Sequence, residues 1–233
     1  MNTTAPHPWD VSTAEAKEIQ LRLREKVSFQ PDFGEVRTVA GVDVGGKGES
    51  VMAAVVVLSY PALEPLEQSL AQEEVHMPYV PGLLAFREAP AVLSACQKLD
   101  TEPDLFIFDG QGFAHPRRMG IASHVGVIFD KPSIGCAKSR LCGTHHEPAP
   151  EAGSYAHLYD GDEIIGTVLR TRDNVSPVYV SVGHRIDLET AVEYVMGCCK
   201  GYRLPETTRY AHRAASGERL STGAQQRSLF DLS

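Results

Sequence analysis

GVDVGGKG, residues Gly41 to Gly48, is the stretch on which the fold turns. A glycine, four residues and then Gly-Lys comes close to the phosphate-binding loop of nucleotide hydrolases, a pattern that closes on Gly-Lys-Ser/Thr. That loop must run from a strand into a helix, because the helix N-terminus supplies the aligned amides and the positive end of the dipole. Here Lys47 is followed by Gly48 and then by SVMAAVVVLSY, Ser50 to Tyr60, an apolar and β-branched run. TVAGVDV, Thr38 to Val44, has the same character on the other side. Two buried strands joined by a glycine-rich turn make a hairpin. The nucleotide cradle fails on both counts, and Asp43 remains as a carboxylate inside an apolar strand.

Outward from the hairpin, Leu66 to Val75 reads as a third strand after the PALEP turn, Pro61 to Pro65, so the chain opens as an antiparallel meander. Pro81 to Leu99 carries apolar residues at helical spacing, with Pro90 expected to kink or divide the helix. DLFIFDG, Asp104 to Gly110, is a short apolar strand ending at a glycine-rich turn. A helix over Pro116 to Phe129 follows, then strands at Ser133 to Ala137, Ile164 to Leu169 and Val178 to Val182, and helices at Leu188 to Cys198 and Glu206 to Ala215. A meander followed by strands alternating with helices specifies an α/β domain built on one mixed sheet, antiparallel first and then parallel, flanked by helices. One domain over residues 1–215 suits the 233-residue length, and the polar stretch 216–233 is expected to be a loose tail.

Hydrophobic residues at 42% and charged residues at 22% exclude a fibre or a wholly disordered chain. The longest apolar run, Met52 to Leu58, is far short of the roughly 20 residues that span a bilayer. The N-terminus MNTTAPHPWD lacks a basic segment followed by an apolar one, so a cytoplasmic location is expected. Five cysteines without a CxxC pair argue against a disulfide framework or a thiolate zinc site. The net charge of −8 hides an uneven distribution, since Gln111 to His146 holds five basic residues (Arg117, Arg118, Lys131, Lys138, Arg140) against one acidic, Asp130. A local patch is what phosphate contact requires, because counterion release depends on charges at the interface, although such a run is more often a solvated face.

Asp43 lies inside the first strand, Asp109 ends a later one, and Glu88 sits on the helix whose apolar face must pack on that sheet. A carboxylate buried unpaired costs several kcal/mol, so each requires a cation. Three carboxylates brought together repel unless a hard, oxygen-seeking divalent ion lies between them. Mg²⁺ suits such a set better than zinc, since no His or Cys pair has zinc-ligand spacing. The residues alone leave a second reading open, in which Asp109 starts a turn and Glu88 pairs with Arg87 or another surface group.

Six blocks, in order, carry a resemblance: AGVDV (Ala40 to Val44), MPYVPGLLAFRE (Met77 to Glu88), DGQGFAHPRRMGIASHVG (Asp109 to Gly126), IGCAKSRLCG (Ile134 to Gly143), VGHRIDLETA (Val182 to Ala191) and GYRLPETTRYAH (Gly201 to His212). With them the chain resembles the endonuclease V family, deoxyinosine-directed nucleases of nucleic-acid repair. The resemblance implies an RNase H-like fold and a DNA repair endonuclease working by metal-assisted hydrolysis. It would cut the second phosphodiester bond 3′ to deoxyinosine, leaving 3′-hydroxyl and 5′-phosphate ends, with inosine in RNA as a further substrate. It implies Asp43, Glu88 and Asp109 as ligands of Mg²⁺, for which Mn²⁺ would substitute, and Lys138 as a catalytic group that stabilises charge on the phosphate. His212 stands where the family has histidine or aspartate, which implies an outer metal-shell role. A contrasting reading is a module that grips inosine without cleaving it; such a module would lose the carboxylates, and all three are present.

In MPYVPG two prolines stiffen a loop and hold Tyr79 outward, a poor use of an aromatic unless it stacks on something; packing over the edge of the core is the alternative. By the resemblance Pro78, Tyr79, Val80 and Pro81 form a wedge that enters the duplex as the damaged base rotates out. Gly82, Leu84, Gly110, Gly120 and Ile121 would line the base pocket, the glycines letting backbone amides approach the purine edge. Arg117 and Arg118 are expected at phosphates, His115 at a phosphate or organising water beside the metal site, and Lys47 near the DNA backbone without a catalytic role. His124 and His184 are read as satisfying buried hydrogen bonds. Near the end of the chain Gln226, Leu229 and Phe230 resemble the short peptide by which bacterial repair proteins dock on the sliding clamp, with packing back on the domain as the alternative. The resemblance also implies a monomer.

Overall fold

The structure is a computed structural model that describes residues 3–46 and 48–220. Its centre is the hairpin: β1 (Thr38–Gly45) pairs antiparallel with β2 (Ser50–Ser59), and β2 with β3 (Pro65–Glu74), as the meander requires. Apolar clusters cover β1 and β2 on both faces, which is why they read as unbroken hydrophobic runs. On the other side of β1, β4 (Leu105–Phe108) runs parallel to it, and β5 (Ser133–Ala137) parallel to β4. Beyond β5 the sheet returns to antiparallel pairing through β8 (Val178–His184), β7 (Glu163–Leu169) and β6 (Tyr155–Asp160), giving the order β3-β2-β1-β4-β5-β8-β7-β6. The mixed α/β sheet is therefore as expected, with its parallel part confined to β1, β4 and β5.

Two helices lie on each face. α2 (Leu84–Gln97) and α3 (Ile121–Phe129) bury Ala85, Ala89, Val92, Val125 and Phe129 against Val42, Val55, Phe106 and Phe108. On the opposite face α4 (Leu188–Gly197) and α5 (Glu206–Ala215) cover Val39, Ala54, Val56 and Ile107 through Ala191, Val195 and Ala214. A further helix, α1 (Thr13–Leu23), packs outside α2 and α3, with Ala16, Ile19 and Leu23 against Met77, Leu83, Phe86 and Met119. A capping box between Ser12 and Glu15 starts it, satisfying amides that the first turn leaves open.

Several expectations need correction. α1 and β6 have no counterpart in the sequence reading: the buried stripe of α1 is narrow, and YAHLYD is an edge strand with only Leu158 fully buried. α2 continues through Pro90 without division; the lost hydrogen bond costs about 3 kcal/mol, offset by Phe86, Ala89, Ala91 and Val92 buried around it. α3 begins at Ile121, not Pro116, because Arg118 takes a left-handed φ of 56° and Gly120 is extended. Residues 216–220 are anchored: Leu220 is buried and its amide donates to Gln68, whose own amide donates to the Glu218 carbonyl. Lys47 and the segment with Gln226, Leu229 and Phe230 lie outside the described residues. Among the described residues no helix is long and apolar enough to cross a membrane.

Candidate active site

Adjacent parallel strands deliver two carboxylates to one edge of the sheet. Asp43 lies near the end of β1, and Asp109 follows β4 directly, its amide donating to the Val42 carbonyl at 2.9 Å. The carboxyl ends of parallel strands are where open α/β sheets place their ligands. Glu88 comes from the second turn of α2, held over the same edge because Ala85 and Ala89 bring that helix down on the sheet.

His212 reaches the cluster from the other face, through a glycine. A Cβ on Gly41 would lie 2.0 Å from the Thr207 carbonyl oxygen, so α5 crosses β1 at a distance that only glycine allows. Two strand residues advance about 6.6 Å and five helical residues about 7.5 Å, so helix and strand stay in step from that contact to the next. At the far end His212 Nδ1 lies 2.8 Å from Asp43 Oδ2.

The three carboxyl groups feel one another. Burial first, then Asp43 and Asp109, push the Glu88 carboxyl up to about 8 against the opposing pull of Arg87. Burial likewise raises Asp109, whose carboxyl lies within hydrogen-bonding reach of Asp43, while Lys138 Nζ in direct contact with Asp109 Oδ2 pulls it down. Among the described residues no group of three His, Cys, Asp or Glu side chains stands ready-made to hold a metal ion. In this structure Lys138 takes an oxygen of Asp109, while His212 and the Val44 amide take those of Asp43. The donor chemistry nonetheless fits a hard divalent cation: three crowded carboxylates, one of them, Glu88, raised to about 8 by burial and by the other two.

Beside the cluster opens a cavity of about 290 Å³ with Asp109 and Lys138 in its wall. All five residues expected at a base pocket, Gly82, Leu84, Gly110, Gly120 and Ile121, line it. Tyr79 and Val80 form its rim; Tyr79 is 69% exposed, so it does not pack over the core, and the flanking Pro78 and Pro81 are exposed as well.

A sequence profile of the family described as Endonuclease V matches residues 21–213. An Endonuclease V of Roseiflexus sp. (strain RS-1) is 54% identical over 220 residues, covering 94% of this chain and 99% of its own. The chain belongs to the endonuclease V family. Solved structures of that name agree. Endonuclease V of Streptomyces avermitilis has a TM-score of 0.80 at 39% identity, covering 100% of this chain and 99% of its own. Endonuclease V of Ciona intestinalis, in complex with a 23mer DNA containing an inosine followed by a ribo-adenosine, has a TM-score of 0.77 at 30% identity, covering 88% and 97%.

In this endonuclease the side chains expected at phosphates are committed to protein partners. His115 is 3% exposed; its Nδ1 accepts from the Arg117 and Met119 amides at 3.1 and 3.4 Å, which leaves Nε2 to donate to the Gly82 carbonyl at 2.9 Å. Burial lowers its pKa to about 4, so the ring is neutral at pH 7. Arg117 binds Gln20 and Gly82, each at 2.6 Å, and Arg118 binds Asp160 and Glu163, each at 2.8 Å. Lys131 pairs with Glu102, which leaves Lys138 and Arg140 as the members of the basic run that line the cavity. His184 bonds the Ser28 amide and Asp130, which fits the expected structural role. His124 Nε2 meets His7 Nε2 at 2.7 Å, but its buried Nδ1 meets no hydrogen-bond partner among the described residues, so the expectation of satisfied buried bonds holds only in part there.

Among the cavity residues to which the sequence reading gave no role are two glutamines, Gln111 and Gln20. A signal for Gln20 existed. The Ser12/Glu15 capping box marks a helix start, and in the buried stripe Ala16, Ile19, Gln20, Leu23 the glutamine is the polar residue out of place.

Proposed function

We propose that this endonuclease cleaves DNA at deoxyinosine by metal-assisted hydrolysis, at the second phosphodiester bond 3′ to the base, and accepts inosine in RNA through the same pocket. The observation that carries this reading is a shared wall: Asp109 belongs both to the carboxylate cluster and to a base-sized cavity rimmed by an exposed tyrosine. The inosine-containing DNA bound by the Ciona relative supports the choice of ligand. Asp43, Glu88 and Asp109 would hold the cation, Mg²⁺ or in its place Mn²⁺. When bound, it supplies polarisation of the scissile phosphate and a hydroxide accessible near neutral pH.

The remaining work falls to the chain's own groups. Tyr79, stiffened by Pro78 and Pro81, fills the gap left by an extruded base; unstacking costs a few kcal/mol, less at an inosine mispair. The cavity lining includes three glycines, Gly82, Gly110 and Gly120, with no side chain between backbone and ligand; a Cβ on Gly120 would meet the Gln111 carbonyl oxygen at 2.2 Å and one on Gly110 the Ile121 side chain at 2.7 Å. Backbone groups there pair with hypoxanthine and leave the amino group of adenine without a partner, and an unpaired buried donor is a strong ground for rejection. Lys138 puts its charge on the phosphate, and His212 holds Asp43 from outside.

The test is cleavage of a duplex carrying one inosine, with Mg²⁺ or Mn²⁺, by wild type, Asp43→Ala and Asp109→Ala. Wild type should make one nick on the 3′ side of inosine and spare an adenine control, with both variants slower by about 100-fold or more. Undiminished cutting by both variants would reject the ligand set, and equal cutting of the adenine control would reject the base reading.

A further inference from the structure

We infer that Gln20, on the N-terminal helix α1, is a positioning residue that braces the wedge loop through the carbonyl of Gly82, an inference that rests on the inosine activity proposed above. Three donors converge on that oxygen: Gln20 Nε2 at 3.1 Å, His115 Nε2 at 2.9 Å and Arg117 Nη2 at 2.6 Å. A carbonyl offers two lone pairs, so this one is saturated. Gln20 sits at the centre of the knot. Its Nε2 also donates to the Met119 carbonyl at 3.0 Å, and its Oε1 accepts from Arg117 Nε at 2.6 Å. The amide orientation follows from these partners, since the arginine can only donate and the two carbonyls can only accept. One buried side chain, 1% exposed, thus ties together the end of the wedge loop, the residue before Gly120 in the pocket wall, and Arg117.

The apolar contacts serve the same end. Met77 precedes the loop and Leu83 follows it, and both pack with Ala16, Ile19 and Leu23 of α1. Gly82 itself has φ of 80°, and a Cβ there would meet Arg117 Nη2 at 2.9 Å, so the knot closes only around glycine. Residues 78–81 are therefore held at both ends on one helix while Tyr79 projects between the anchors. A lever that must separate stacked bases needs a footing stiffer than the stack, and a displacement of about 1 Å costs up to 100-fold in rate. An amide in an otherwise apolar helix stripe is a poor choice for packing alone, because its polar atoms must be desolvated. Its contacts with Gly82 and Met119 supply the reason for it.

The experiment compares wild type, Gln20→Met and Gln20→Glu on inosine in a paired duplex and on inosine in a single strand, where no unstacking from a partner strand is needed. Gln20→Met keeps the length and removes the amide. Gln20→Glu keeps an acceptor for Arg117 and sets a carboxylate against the Gly82 and Met119 carbonyls, so it carries the same contrast if Gln20→Met does not fold. Bracing predicts that kcat/KM on the duplex falls by about 10- to 100-fold and on the single strand by a factor several times smaller, since there the pocket contacts of Gln20 still count but the wedge has no paired stack to open. Equal losses on the two substrates would reduce Gln20 to a structural residue, and an unchanged duplex rate would remove any role; either overturns the inference. Failure of wild type to cut at inosine in either substrate is a distinct result, because it defeats the activity itself before any variant is made.

Discussion

The Cβ that Gly41 lacks would collide with backbone, the Thr207 carbonyl, which cannot rotate out of the way. Gly41→Ala is therefore expected to destabilise the protein by about 3 kcal/mol or more by pushing α5 off β1, seen as a lower Tm, and cleavage should weaken as His212 leaves Asp43. Glu88 works in the opposite direction. Its folded pKa of about 8 lies above the unfolded value of 4.5, so between these pH values the unfolded chain gives up the proton first and metal-free stability falls as pH rises. Glu88→Gln removes that liability. In chelator at pH 7 to 8 its Tm should exceed that of wild type, by about 1–3 kcal/mol in stability once the full shift is discounted for relaxation, while cleavage is lost. A variant less stable than wild type under those conditions would mean that the carboxylates do not crowd one another.

Elements differ in how openly the sequence announces them. β1, β2 and β4 are covered on both faces, so their apolar runs stand out against any flank. β6, with Tyr155 and Tyr159 exposed at the sheet edge, shows no such contrast, and α1 hides a buried face that includes a glutamine. The wedge loop is legible for another reason: prolines restrict the backbone locally, so MPYVPG implies a stiff projection without knowledge of its neighbours. Since Tyr79 is 69% exposed, Tyr79→Ala should leave stability within about 0.5 kcal/mol of wild type, checked by thermal unfolding. The same variant should cut a paired inosine duplex about tenfold more slowly, because the gap beside an extruded base is left unfilled. A large drop in Tm would instead assign Tyr79 to the core.

At the scale of the molecule, buried neutral histidines set the response to acid. Burial lowers His115 to about 4 and His124 to about 3, and His124 also faces His7 ring to ring at 2.7 Å. Folded values below the unfolded 6.5 mean that the unfolded state takes up protons first as pH falls. Stability should therefore drop from about pH 6.5 toward 4, by up to about 1.4 kcal/mol per pH unit for each ring. Urea unfolding between pH 7 and 4 reads this directly, and His115→Gln should flatten the slope by one proton; an unchanged slope would mean that His115 is charged in the folded state. Asp43, Glu88 and Asp109 were readable as candidates from the sequence because residue type and placement on a strand or an amphipathic helix are local properties, whereas Lys138 entered only through the family resemblance. The commitments of Arg117 and Arg118 were not, because the same basic run suits a phosphate or a protein carbonyl equally well. What the sequence by itself determined is the hairpin where a phosphate loop was conceivable, the α/β order, the three acidic residues and the family, all of which follow from local pattern and side-chain identity. Only the tertiary structure decided which partner each group meets: His212 lies 169 residues from Asp43, and Gln20 lies 62 from Gly82 and 97 from Arg117. Contacts across such separations are set by how helices seat on the sheet, at glycines such as Gly41 and in clusters such as Ala16, Ile19 and Leu23, and no periodicity along the chain encodes that distance.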